Sequence, residues 1–408
     1  MVGEDNKEVL GVKVIVRPGD TFWYYSQLFA IPIHLLIDSN LHLNINNLQV
    51  GAEVKIPGFL LKQHKVVQDD TLWKLAKSRT LMADALFLVN PGITAENIQV
   101  GQMILIPERV VRPIVNGNRE YDFADMVSDI EQLKTIYPFL QTRSIGKSVL
   151  GNDLLELRIG RGEKRVHWNG SFHANEWITT NVIMTFINDY LLGLTNMAPI
   201  RGFYVEPLYL ETLLSIVPMV NPDGVNLVLN GPPEQKPYKD EVVKINNESF
   251  DFRDWKANIR GIDLNNQFPA NWEVEKERKE PKSPAPRDYP GDAPLTEPEV
   301  IAIEKLTRDA NYNRVLAFHT QGEVIYWGYE GLEPLESGTL VNEFSRVSGY
   351  RAVRTIDSHA GYKDWFIQEW KKPGFTFELG EGVNPLPLSQ FDEIYQETLG
   401  AFLASLYM

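Results

Sequence analysis

Two stretches near the start of this chain repeat one pattern at an interval of 50 residues. Val16, Asp20, Thr21, Trp23, Asn40, Asn47, Gln49, Val50, Gly51, Ile56 and Pro57 recur as Val66, Asp70, Thr71, Trp73, Asn90, Asn97, Gln99, Val100, Gly101, Ile106 and Pro107, without a slip of register. A fixed interval marks a duplicated supersecondary unit, and a unit this short has few ways to fold. Each copy opens on a β-branched run and reaches Asp-Thr, a helix N-cap signal. Two short apolar-periodic stretches follow, and the copy closes on a run ending Ile-Pro. Strand–helix–helix–strand is the expected order, in copies spanning 11–58 and 63–108.

From Tyr121 onward the pattern changes. DFADMVSDIEQLKTIYP reads as an amphipathic helix stopped by Pro138, and SIGKSVLGNDLLELRIG as a hairpin. Apolar runs at 164–171, 213–220, 313–320 and 375–379 alternate with helical stretches. Strands apolar on both sides belong to an α/β domain whose sheet is covered by helices on both faces, here residues 115–408. Active residues of such sheets gather at the carboxyl ends of strands. His173, Asn221, His319 and Glu378 all fall at such ends.

Composition narrows the chemistry. With 40 basic against 54 acidic residues the net charge is −14, so no cation excess exists to draw nucleic acid or an anionic membrane as main partner. The absence of cysteine excludes disulfides, thiolate metal sites and a cysteine nucleophile. No Gly-x-Ser-x-Gly elbow supports a serine hydrolase. Early acidic residues in place of an apolar leader, and no run of membrane-spanning length, make a cytoplasmic protein the expectation.

What remains is a metal chemistry. His173 and Glu176 lie in GSFHANEW, His319 in RVLAFHTQG and Glu378 in GFTFELGEG. Two imidazoles and one carboxylate are the donors of an open zinc site, and a second carboxylate is the base its water needs. Asp263 in GIDLN is the candidate partner for the second imidazole N–H of His173.

These segments carry two resemblances. VRPGDTFW, LQVGAEVKIP, VVQDDTLW and IQVGQMILIP resemble LysM modules, which bind N-acetylglucosamine-containing glycan. That likeness implies sugar contacts around Gly19, Asp20, Thr21 and Asn40, and around Asp70, Thr71 and Asn90, with Asp69 replacing the usual glycine in the second copy. Residues 121–408 resemble the zinc metallocarboxypeptidases through GSFHANEW, NPDG, GIDLN, RDYPGDAPLTEPE and FTFEL. The resemblance implies a mixed, mostly parallel sheet and one Zn2+ on His173, Glu176 and His319, with Glu378 as general base. It also puts Lys256 in the place of the oxyanion-stabilising arginine.

Departures from that pattern point further. Asn265-Asn266-Gln267 stands where the family has the Asn-Arg pair that grips a terminal carboxylate, and Asn175 replaces another arginine. The family's mobile tyrosine aligns with Ile356, leaving His359 and Tyr362 as nearby candidates. Asn265, Asn266, His359 and Tyr362 are therefore the expected substrate contacts. Together with LysM modules, the lost arginine resembles the branch of γ-D-glutamyl-meso-diaminopimelate peptidases. It implies peptidoglycan glycan and stem peptides as partners and leaves the oligomeric state open.

Overall fold

The computed structural model describes residues 10–408. Two compact units share the chain: one runs to Ile114 and adds Ser128–Gln141 and Asn188–Glu206, and the other holds Val115–Val127, Thr142–Ile187 and Pro207–Met408.

The repeat builds the first unit. Strand β1 (Gly11–Ile15), helices Phe22–Phe29 and Ile33–Asp38, strand β2 (Glu53–Lys65), helices Leu72–Lys77 and Ala83–Val89, and strand β3 (Met103–Arg109) follow in order. One antiparallel sheet, β1-β2-β3, serves both copies. Val12–Ile15 pair with Ile56–Glu53, whereas Phe59–Lys65 pair with Arg109–Met103. Residues 59–62, left between the copies by the sequence pattern, are thus the middle of a shared strand. The β1 register slips at Pro57-Gly58, where proline has no N–H for a ladder and Gly58 takes φ 78°; beyond it Gly11 pairs with Leu60, which also pairs with Glu108 of β3.

The two copies match in detail. Thr21 and Thr71 cap their helices, each hydroxyl accepting a backbone N–H at 3.1 Å, from Tyr24 and Lys74. Gly51 N–H donates to Val16 O, and Gly101 N–H to Val66 O, at 2.8 Å each. Gly19 takes φ 86° and Asp69 φ 68°, so the second turn keeps its left-handed shape on a short polar residue that tolerates it.

The second unit holds β4 (Gln141–Lys147), β5 (Asp153–Gly160) and β6 (Lys164–Gly170). A separate two-stranded pair, β7 (Pro199–Ile200) and β8 (Phe203–Tyr204), belongs to the first unit. Strands β9 (Thr212–Val217), β10 (Arg314–His319), β11 (Val324–Tyr326), β12 (Arg351–Val353) and β13 (Gly374–Glu378) complete the large sheet. Its order is β12-β11-β13-β10-β6-β9-β5-β4. Four central strands, β13, β10, β6 and β9, run parallel, while β11 against β13 and β5 against β9 are antiparallel. The sheet is mixed, as the resemblance implied.

Adjacent residues of β6 show why both faces are covered. Trp168 meets Phe186, Phe318 and Phe402, from β10 and from helices Ile178–Asn196 and Phe391–Tyr407. His167, pointing to the opposite face, stacks on Tyr312 at 4.8 Å and meets Tyr362 edge-on. Every residue of β10 is buried. A strand closed in on two sides can offer a side chain to substrate only at its end.

Candidate active site

Four parallel strands deliver the expected residues to one edge. His319 ends β10 and Glu378 ends β13, and the two are register partners. Neighbours paired in register project from the same face, which sets base beside ligand. His173 follows β6 across a turn in which Ser171 takes φ 49°. That turn is tied down: Ser171 N–H donates to Thr179 Oγ1 at 2.8 Å, and Thr180 Oγ1 donates to Pro218 O at 2.6 Å. Glu176 closes the one-turn helix Ala174–Glu176, so His173 and Glu176 face the same way.

The donor atoms meet. Glu176 Oε1 lies 2.9 Å from His173 Nδ1 and Oε2 lies 2.9 Å from His319 Nδ1, while the two Nδ1 atoms are 3.1 Å apart. Atoms from these three residues lie within 4.8 Å of one another, the spacing of a metal site. His173 Nε2 meets Asp263 Oδ1 at 3.2 Å, which leaves Nδ1 as its ligand atom. Two imidazole nitrogens directed at each other beside a carboxylate are poor partners without a cation, and a divalent ion between them relieves the crowding. The set fits zinc: nitrogen and oxygen donors, three in number, the protein complement of a catalytic zinc site.

Electrostatics agrees. Burial pulls His173 down, but Glu176 and Asp263 push it up to about 8. Burial acts against the Glu176 charge, yet His173 and His319 hold that carboxyl well below its ordinary range. Glu378 goes the other way, up to about 8, through burial and then repulsion from Glu176. A carboxylate so raised is a stronger base than usual, suited to proton transfer near neutrality.

Lys256 is held by two carboxylates, Asp263 Oδ2 at 3.0 Å and Asp288 Oδ1 at 3.2 Å. Burial would lower its pKa, but Asp263, Asp288 and Glu176 override burial and keep the ammonium charged. Its position is fixed through the backbone, since Ala174 N–H donates to Lys256 O at 3.0 Å. Asn221 braces the same corner, donating to Phe172 O at 3.2 Å and Ala257 O at 3.0 Å. The cation therefore stands beside the ligand loop.

Other expected contacts turn out differently. Tyr362 is fully buried, its hydroxyl 3.0 Å from Thr307 Oγ1 and its ring stacked on Phe172, so it is a core residue and not a substrate contact. Asn265 accepts from Tyr362 N–H at 3.0 Å and braces the start of the helix Tyr362–Trp370. His359 is engaged with the Tyr329 hydroxyl at 3.0 Å. Asn266 forms no side-chain hydrogen bond among the described residues and remains a neutral amide on the turn after Asp263. Gln267, next in line, is locked onto Ala293 O and Thr296 N–H.

In the repeat, Asn40 and Asn90 are corrected in the same sense. Each is buried and bridges helix and strand: Asn40 to Leu36 O, Lys55 O and Lys55 N–H, and Asn90 to Leu86 O, Leu105 O and Leu105 N–H, all within 2.9 Å. No polar atom is left for sugar. Asp20 accepts from Arg17 N–H at 2.9 Å and Tyr25 O–H at 2.8 Å, and Asp70 from Val67 N–H at 2.9 Å. Both acids shape their turns; Gly19, Thr21 and Thr71 remain at the exposed surface. Asp288 stood out in the sequence only as part of RDYPGDAPLTEPE, with no role of its own, and nothing singled out Asn384, whose Nδ2 lies 3.4 Å from Glu176 Oε1. An Asn-Pro pair in a glycine-rich stretch reads only as a turn.

A family model described as zinc carboxypeptidase matches residues 126–401, and a LysM domain model matches 14–57 and 64–107. The chain belongs to the zinc carboxypeptidase family. It is an enzyme of the zinc peptidase class, with two LysM domains ahead of the catalytic sheet. It is 56% identical over 395 residues to "Gamma-D-glutamyl-L-diamino acid endopeptidase 1" of Lysinibacillus sphaericus, covering 97% of this chain and 100% of that one. It is also 42% identical over 387 residues to "Uncharacterized protein YqgT" of Bacillus subtilis (strain 168), covering 94% and 96%. Among solved structures, thrombin-activatable fibrinolysis inhibitor shares the fold at TM-score 0.58 and 19% identity, over 86% of this chain and 97% of that one. Carboxypeptidase A of Helicoverpa armigera does so at TM-score 0.55 and 16% identity, over 82% and 78%. Among the described residues no helix is long and apolar enough to cross a membrane.

Proposed function

We propose that this zinc peptidase hydrolyses peptidoglycan stem peptides at the γ-D-glutamyl–meso-diaminopimelate bond, while its LysM modules hold the glycan. The observation that carries the reading is the neutral turn Asn265–Gln267 beside an intact ligand set. A terminal carboxylate needs a cation to recognise it, and this turn supplies none. A peptide that continues past the scissile bond needs only amide hydrogen bonds, which Asn266 can make. End-to-end likeness to the Lysinibacillus enzyme, named for a γ-D-glutamyl–L-diamino acid bond, supports cleavage after γ-D-glutamate.

Zinc, when bound, supplies the Lewis acidity that polarises the scissile carbonyl and acidifies water. The chain's own groups do the rest. Glu378 takes the proton of the attacking water and returns it to the leaving amine. Lys256, anchored by Asp263 and Asp288, puts positive charge where the carbonyl oxygen gains negative charge. Asp263 fixes the ring of His173. Joining this site to glycan-binding modules raises the local concentration of stem peptide.

The reading includes a cytoplasmic site of action. Finding the native protein only in wall fractions or medium would remove that part.

The test is mass spectrometry of defined tripeptide and tetrapeptide muropeptides after incubation with the zinc enzyme. The expected products carry a new amino terminus on diaminopimelate, and chelation stops their formation. Release of a single carboxy-terminal residue instead would overturn the assigned bond and restore ordinary carboxypeptidase action.

A further inference from the structure

The carboxylate ligand is held from outside its own helix. Glu176 sits on a single helical turn, where its carboxylate meets His173 at the turn's start. Beyond the two histidines, its side-chain hydrogen-bond neighbour among the described residues is Asn384, Nδ2 to Oε1 at 3.4 Å. Asn384 cannot turn freely. Its Oδ1 accepts from Thr320 Oγ1 at 2.7 Å, and its Nδ2 donates to Thr320 O at 2.9 Å. An amide nitrogen has two protons, so with one on Thr320 O the other is left for Glu176.

Three functional segments meet at this amide. Thr320 directly follows ligand His319, and Asn384 lies in the stretch that follows base Glu378. That stretch is itself anchored, with Gly322 N–H donating to Gly380 O at 2.7 Å. We infer that Asn384 is a positioning residue that orients Glu176 as a zinc ligand and slows the loss of zinc. It acts through Glu176 and takes no part in proton transfer. The inference needs zinc at the site but not the muropeptide substrate, so failure of the cleavage assay leaves it standing.

The experiment follows zinc release from the holoenzyme to an excess of a zinc-chelating dye, for wild type and for Asn384→Ala, Thr320→Val and Thr320→Ser. Loss of an outer partner of a metal ligand weakens metal binding by about 10- to 100-fold, so Asn384→Ala is expected to release zinc faster by that factor. Thr320→Val removes the hydroxyl that holds Asn384 Oδ1 and leaves only the bond to Thr320 O, so its release should fall between Asn384→Ala and wild type. Thr320→Ser keeps the hydroxyl and should match wild type. Wild-type release from Asn384→Ala would overturn the inference, whatever happens to its melting temperature, since a residue that only anchors the 380–387 stretch leaves zinc retention untouched. Should Asn384→Ala fail to fold, the two Thr320 variants decide: equal release from both would overturn it.

Discussion

Asn40 in the repeat and His173 in the large sheet are both buried polar residues set by a sequence motif, and they do opposite things. Asn40 has every side-chain hydrogen-bonding atom paired with backbone of its own unit. His173 brings its Nδ1 to a point shared with Glu176 Oε1 at 2.9 Å and with the Nδ1 of another histidine at 3.1 Å, so two nitrogens and a carboxylate crowd one place. The difference separates two meanings of a buried polar motif. A group satisfied inside the fold is a strut, and a group left facing its own kind is waiting for something the chain does not contain.

The largest test of this contrast concerns Glu378. Glu378→Gln keeps the shape but removes the base, and cleavage is expected to fall by about 10²- to 10⁴-fold. Zinc content should stay at one per chain, because the three ligands remain. Loss of zinc along with activity would place Glu378 among the struts. Turnover on a short stem peptide, together with metal analysis, decides it.

A smaller effect is expected from Asn90→Ala or Asn40→Ala. Each leaves backbone groups of a helix end and a strand without their partner, at a cost of roughly 2–4 kcal/mol to the first unit. Amide exchange should quicken across residues 10–109, while turnover of a short stem peptide stays at the wild-type value. Unchanged exchange, or lost turnover, would blur the distinction between strut and site.

The last test, read as a pH trend in melting temperature, takes a residue between the two classes. Glu299 is buried, with Oε1 accepting from Val149 N–H at 3.0 Å and Oε2 lacking a hydrogen-bond partner. Burial, with the charge of Asp223 adding to it, pushes its carboxyl up to about 8 from an ordinary value of 4.5. Between those values the folded protein carries a proton there that the unfolded chain has lost. Stability from this group is therefore present at low pH and declines as pH rises through the window. Glu299→Gln removes the dependence, so its melting temperature should gain on wild type steadily from pH 5 to pH 8 and level off above. An offset constant with pH would show that the carboxyl is ionised throughout.

Much of the catalytic unit was readable before any coordinates. Buried parallel strands are continuous apolar runs, so β6, β9, β10 and β13 stand out, and the polar residue ending each run marks the site. Asp263 was legible because a histidine ligand needs a partner for its second nitrogen. The sequence was silent where partners are chosen by packing. Tyr362 lies close in sequence to the expected substrate face, but its ring turns into the aromatic core around Phe172, Phe268 and Trp365. Asn384 reaches the site from a glycine-rich stretch with no periodicity to read. Strands β11 and β12 are three residues each, too short for an alternation to register. In the repeat, apolar spacing identified the ends of β2 but not that they belong to one strand, because a pattern of burial names no neighbour.

That one strand has a further consequence. Since β2 pairs mainly with β1 along its first half and with β3 along its second, the distance between the two equivalent turns is set by one continuous strand, not left to a tether. Whatever polymer meets both turns is gauged against a built-in ruler, and a chain of subunits whose pitch does not match will engage one turn at a time.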